Sequence, residues 1–361
     1  MFVSLSQLFL SYLVYYISKN KWVRIIGGIY TVVSFAILVT QNSDSAFIAI
    51  IGILLLLGYF SLSKLEKWIR FLEIFCLMWT TFAVIGVLQR VFVDRAIPLD
   101  TLSVFFSQSI VTWMMLILSL WVMFSYKRYY KINVMDRHQK KVKNNKKDID
   151  TISNEKKITE TELVKTTKRF YQVMLLVIIT GIFITIIFIY LNTKGYLLKW
   201  FGYQNNHQYL LFDYHWGSNR GSTWMITWQA FWQMPFYQKL FGVGPDSLSE
   251  YLYSVPDIHD LLRSLWGNVR LTNAHNEYLN SLVCYGIAGE TAWISVLAGG
   301  IVYFYKKAKE NLIMIAFALC IMGYTCHNIF CYQQVCCTPF LFIVLGIGES
   351  LTKFENFNTI K

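Results

Sequence analysis

The 361-residue chain is 55% hydrophobic and 17% aromatic but only 15% charged, well under the quarter expected of a soluble domain. That balance excludes a water-soluble fold, and several apolar stretches reach the roughly 18 residues with which a helix crosses about 30 Å of hydrocarbon. The net charge of +12 does not indicate nucleic acid, because 14 of the 33 Lys and Arg crowd into residues 127–169 against 6 acidic residues, a loop rather than a basic surface.

In chain order, the first twenty residues, "MFVSLSQLFLSYLVYYISKN", have no basic start and no small-residue cleavage site, so they read as a first span rather than a cleaved signal. Nine transmembrane helices are predicted, near 3–18, 22–40, 45–62, 70–92, 104–126, 170–191, 278–305, 311–332 and 335–352. The expected fold is therefore an all-α, polytopic integral membrane protein. Basic residues recur in alternate connections: Lys19, Lys21 and Arg24; Lys64, Lys67 and Arg70; the 127–169 loop; Lys306, Lys307 and Lys309; and Lys353. Placing all of these on the cytoplasmic side puts the N-terminus out and the C-terminus in.

The expected organisation is a five-span bundle over 1–126, a basic cytoplasmic loop at 127–169 and a helix at 170–191. An external loop at 192–277 and a three-span C-terminal region with a short tail at 278–361 complete it. The external loop has 86 residues and 18 aromatics, including half of all tryptophans, far more than a connector needs. Glu73 and Glu290 are the charges expected inside spans, and their scarcity argues against an ion-coupled transporter. Five of the seven cysteines fall at 320, 326, 331, 336 and 337 without the paired spacing of a zinc site, so no metal is expected there.

Within the outer loop, "NRGSTWMITWQAFWQMPF" sets Arg220, Trp224, Trp228 and Trp232 four residues apart, one stripe of a helix. Ser218 or Asn219 suits its N-cap, and Pro235 its end. Tryptophans so spaced fit an interfacial helix, whereas Arg220 beside free N–H groups makes a place for a phosphate-bearing ligand. In "LFGVGPDSLSEYLY", Gly242 and Gly244 permit a tight backbone path, Pro245 suits a first helical turn and Asp246 its N-terminal end. Arg263 and Arg270 flank "SLWGNV", and His275 follows among Asn273, Asn276 and Glu277 at the lip of the seventh span. Arginines match a diphosphate in bidentate fashion, and a neutral imidazole takes a proton from a hydroxyl.

Together, "NRGSTWMITWQAFWQMPFYQKLFGVGPDSL" and "NAHNEYLNSLVCYGIAG" resemble the O-antigen ligase and O-antigen polymerase superfamily of bacterial envelope enzymes. "LVTQNSDSAFIAIIGILLLL" and "TPFLFIVLGI" add weaker likeness. The resemblance implies a multi-pass protein of the bacterial cytoplasmic membrane with its catalytic loop on the periplasmic side. It implies a glycosyltransferase that needs no cofactor and uses an undecaprenyl-diphosphate-linked oligosaccharide as donor and a glycan as acceptor. Membrane lipid, a flippase and chain-length regulators would be its partners. His275 matches the family's general base and Arg220 its diphosphate-binding arginine; a further family arginine falls near residue 44, where this chain has Asp44. Arg270 or Arg263 is then the expected substitute. Trp224, Trp228, Gly242, Gly244, Asn273 and Asn276 line the expected substrate loop. The departure at Asp44 favours polymerisation of lipid-linked repeats over ligation to another acceptor. A lipid-linked saccharide flippase and a non-catalytic scaffold are the alternatives of other classes.

Overall fold

The structure, a computed structural model, describes residues 11, 13–131, 149–203, 209–334 and 337–359. The described residues are helical, with no strand among them. Helices α1 (Lys21–Thr40), α2 (Asp44–Ser61), α3 (Leu65–Val91), α4 (Thr101–Gln108) and α5 (Ile110–Tyr130) come first, followed by α6 (Ile149–Thr193) and α7 (Tyr196–Phe201). Four shorter helices follow: α8 (Trp216–Gln233), α9 (Phe236–Phe241), α10 (Leu248–Ser254) and α11 (Pro256–Trp266). Helices α12 (Glu277–Lys307), α13 (Met314–His327) and α14 (Thr338–Thr359) complete the chain.

Six helices are long and apolar enough to cross a membrane: α1, α2, α3, α5, the Thr161–Thr193 part of α6, and α12. Along α6, Leu176, Val177, Ile179, Ile182, Phe183 and Ile184 are each 57–64% exposed. An apolar girdle of that extent is untenable in water and stable against acyl chains. These helices mark a helical membrane protein. The span expected at 3–18 lies mostly outside the described residues, as does much of the basic loop.

Several boundaries differ from the sequence pattern for physical reasons. Helix α6 begins some twenty residues before its expected span, in a run rich in Glu and Lys with no Gly or Pro before Gly181. The expected span at 104–126 is two helices broken at Ser109, whose backbone is extended. The carbonyls freed by that break accept from side chains: Phe106 O from the Thr112 hydroxyl at 2.9 Å, Gln108 O from Arg90 at 2.5 Å. Helix α12 turns sharply at Gly286, and α13 stops at His327.

The chain forms two compact units, Met1–Val173 with Ile301–Tyr324 and Ile343–Lys361, and Met174–Gly300 with Thr325–Phe342. In the first, Phe35, Leu38, Ile53, Leu57, Ile74 and Phe82 are almost fully buried. Glu73 there is held by Lys127 at 2.7 Å, Arg70 at 3.1 Å, Arg24 at 3.8 Å and the Tyr15 hydroxyl at 3.0 Å. The expected membrane-depth charge is therefore a neutralised clasp between helices. In the second unit, the segment expected as an outer loop has its own core. Ile226, Ala230 and Phe231 of α8 pack with Leu248 and Leu252 of α10, Ile258 and Leu262 of α11, and Val283 and Cys284 of α12. Burying each large aliphatic or aromatic side chain stabilises by about 1.5–3 kcal/mol, so this segment folds rather than hangs.

Candidate functional site

The site lies wholly within the second unit, where α8, the 271–276 stretch and the 328–334 segment converge on the start of α12. Regular helix in α8 begins at Arg220, because Gly217, Ser218 and Asn219 all have positive φ, at 56°, 60° and 68°. Left-handed backbone costs a non-glycine residue roughly 1–2 kcal/mol. Local bonds hold it: His215 Nδ1 and Asn219 Oδ1 lie 3.1 Å apart, Ser222 N donates to Tyr214 O at 3.0 Å, and Arg220 Nη1 donates to Gly217 O at 3.3 Å. Asn219 thus supports the turn before the helix instead of capping it with its side chain. Arg220 stands over the Phe330 ring, its Cζ 5.8 Å from the centroid.

His275 also has positive φ, at 50°. The turn is written in the neighbouring asparagines. Asn273 Oδ1 accepts from His275 N at 3.1 Å, Asn280 Oδ1 from Ala274 N at 3.4 Å, and Asn276 Oδ1 from Leu279 N at 3.0 Å. Asn276 is thereby the N-cap of α12. Thr223 of α8 donates to Ala274 O at 3.0 Å, fixing the histidine stretch against the Arg220 helix. The half-buried imidazole meets Tyr332 edge-on, centroids 5.4 Å apart at 87°. Among the described residues neither ring nitrogen of His275 has a hydrogen-bond partner. Burial first, and then the Arg220 charge, holds its pKa below the ordinary histidine value of 6.5. At neutral pH it is therefore an uncharged base beside a fixed cation.

Glu277 completes the frame. It is 1% exposed, its backbone N–H donates to Asn328 O at 3.0 Å, and its Oε2 accepts from Gln333 N at 2.6 Å. Tyr278 donates to Thr325 O at 2.8 Å. These bonds draw 325–333 back to the start of α12, which explains both the early end of α13 and the place of Tyr332. Trp216, Trp224 and Phe330 form an aromatic wall, with Trp216–Trp224 centroids 5.3 Å apart and Trp224–Phe330 5.4 Å. The Trp224 indole N–H is buried without a hydrogen-bond partner among the described residues.

The remaining expected residues sit elsewhere. Trp228 and Trp232 are 48% and 58% exposed, away from the wall. Arg270 is engaged by Ser249 at 2.9 Å and Glu250 at 2.6 Å and lies over Tyr253. Arg263 is exposed on α11. Asp44 opens α2 in the first unit.

Gly242 and Gly244 have a structural task. Val243 N and Gly244 N donate to Val283 O and Cys284 O at 3.1 and 2.9 Å. A Cβ on Gly242 would meet Cys284 O at 2.2 Å, and one on Gly286 would meet the Leu240 carbonyl at 2.4 Å. The loop hooks onto the helix break, backbone against backbone. Pro245 and Asp246 lie in the turn before α10, with Asp246 at positive φ, so neither starts the helix as expected. Glu290 accepts a short hydrogen bond from Ser281 within α12. Cys284, Cys320, Cys326, Cys331 and Cys337 are free thiols. No group of three or more His, Cys, Asp or Glu side chains converges among the described residues.

No protein-family model, curated protein or solved structure matches the chain.

Proposed function

We propose that the protein is a membrane glycosyltransferase that polymerises oligosaccharide repeats carried on undecaprenyl diphosphate, with the 192–277 region outside the bacterial cytoplasmic membrane in a nine-span topology. One observation carries the reading: a neutral imidazole, its ring nitrogens without a hydrogen-bond partner among the described residues, electrostatically coupled to Arg220, which stands over Phe330, at the N-terminal end of a long apolar helix. A lipid-linked donor would reach that place with its tail in the bilayer and its sugars in water.

His275 accepts the proton of an acceptor hydroxyl as that oxygen bonds to the donor's anomeric carbon. The bond from that carbon to the diphosphate oxygen breaks, and undecaprenyl diphosphate leaves with the electron pair and its charge against Arg220. Direct displacement inverts the anomeric centre. General base assistance contributes about 10²–10⁴ in rate, and a fixed charge on the leaving group about 10²–10³. Arg220, whose charge bears on His275, carries the diphosphate; Arg270 pairs with Glu250 away from the imidazole. Trp216, Trp224 and Phe330 offer faces for sugar rings. Asp44, where the resembled ligases carry arginine, favours a second lipid-linked repeat as acceptor.

The test is polymer formation by the purified, reconstituted protein on lipid-linked repeats. His275→Ala should cost at least about 10²-fold in rate, leave lipid-linked units unconsumed and keep the thermal unfolding of the parent. Polymer at the parent rate from that variant would end the reading. A product whose reducing end is attached to something other than undecaprenyl diphosphate would make it a ligase.

A further inference from the structure

A concave feature lies entirely within the first unit and plays no part in the chemistry above. It is a cavity of about 370 Å³ lined by nine residues, among them Lys64, Lys67, Lys168 and Lys309, with no carboxylate among the described residues that line it. The lysines come from three separate stretches: the α2–α3 connection and the start of α3, the early part of α6, and the residues after α12. Its walls are aromatic. Lys67 Nζ sits 4.2 Å from the Phe60 ring centroid, Tyr305 meets Phe60 edge-on at 5.8 Å, and Tyr59 stacks on Tyr305 at 6.1 Å.

Orientation in the membrane requires lysines on the cytoplasmic side but not their convergence. Four ammonium groups around one hollow repel one another, and that arrangement is stable when an anion occupies it. A second cavity in the same unit supplies the comparison: there Arg24, Arg70, Lys127 and Lys131 share the lining with Glu66 and Glu73, and Glu73 pairs with three of those cations, so the protein itself provides anions. Glu66, although next to Lys67 in the chain, lines that second cavity.

We infer that the four-lysine cavity binds a phosphate-bearing anion, and that the source is the headgroup of an anionic membrane phospholipid. Hydrogen-bonding ammonium groups and the Tyr305 phenol suit phosphate oxygens, and basic hollows between the cytoplasmic ends of membrane helices suit such headgroups. The phenyl and phenol rings suit the glycerol and first acyl carbons. The inference does not depend on the glycosyltransferase reading.

The full-length protein, purified in neutral detergent, is titrated with short-chain phosphatidylglycerol and phosphatidylcholine, with bound lipid counted by native mass spectrometry. Phosphatidylglycerol should bind in preference to phosphatidylcholine. The double variant Lys67→Gln/Lys309→Gln should weaken that binding by about 25-fold, at about five-fold per lysine. Lys64→Gln/Lys168→Gln gives an independent pair should the first fail to fold. Lys19→Gln/Lys21→Gln, outside the cavity, should leave binding unchanged. Displacement by millimolar sodium phosphate would keep the site and reassign its ligand to a soluble phosphate. Equal binding of both lipids, or equal loss in the Lys19/Lys21 pair, would overturn it.

Discussion

His275 combines three properties: left-handed backbone, ring nitrogens without a hydrogen-bond partner among the described residues, and a neighbouring cation. The sign of the pH dependence follows. Its pKa lies below 6.5, so the neutral, proton-accepting form persists from neutral pH down to about that value, and the rate should fall only beneath it. Arg220→Gln removes one of the two depressing influences, so the acidic limb of the rate profile should move to higher pH; a limb that stays in place would separate the two residues. Stability follows the same direction. The unfolded chain takes up this proton first, so the fold loses support as pH falls through the folded value. Residue type and spacing singled out His275 and Arg220 as candidates, and the structure brings the two within electrostatic reach of each other. Type and spacing could not mark Tyr332 or the clasp of Gln333 on Glu277, because those contacts join positions more than fifty apart in the chain.

Among elements, the hook of the Gly242–Gly244 loop on the break in α12 sets where the histidine stretch enters the site. Both Gly242 and Gly286 occupy backbone that is essentially confined to glycine, with φ of 77° and 69° and ψ near 180°. Gly242→Ala should lower stability by about 1–3 kcal/mol from backbone conformation alone, and by more through the contact with Cys284 O. Gly299→Ala, in open space on the same helix, should be neutral or slightly favourable. Thermal unfolding followed by tryptophan fluorescence compares the two. Gly-Val-Gly-Pro suggested a tight path from composition alone, but the partner that requires it, a helix broken 42 residues later, leaves no local trace. Likewise the tryptophan stripe was visible by period, while its division into Trp224 on the wall and Trp228 and Trp232 outside depends on what packs against each.

For the whole chain, apolar periodicity located most of the long helices, because a bilayer imposes a length and a composition that a single sequence displays. The fold of the 192–277 region was less legible: its core joins residues of α8, α10 and α11 to the start of α12, and none of these announces its partners locally. The proposed orientation has its own check. Asp260→Cys, whose site is 86% exposed, should react with a membrane-impermeant maleimide in intact cells, and Lys309→Cys only after lysis. The reverse pattern would put the imidazole on the cytoplasmic face and remove it from any externally displayed donor. Finally, the clasp between Glu277 and residues 328–333 has a bearing on biogenesis. Tyr332, which meets the imidazole, and Phe330, which lies under Arg220, leave the ribosome more than fifty residues after His275 itself, once α13 has been made. A nascent chain paused before that point would carry His275 without the contacts that frame it, so under the proposed function competence would arrive late in translation.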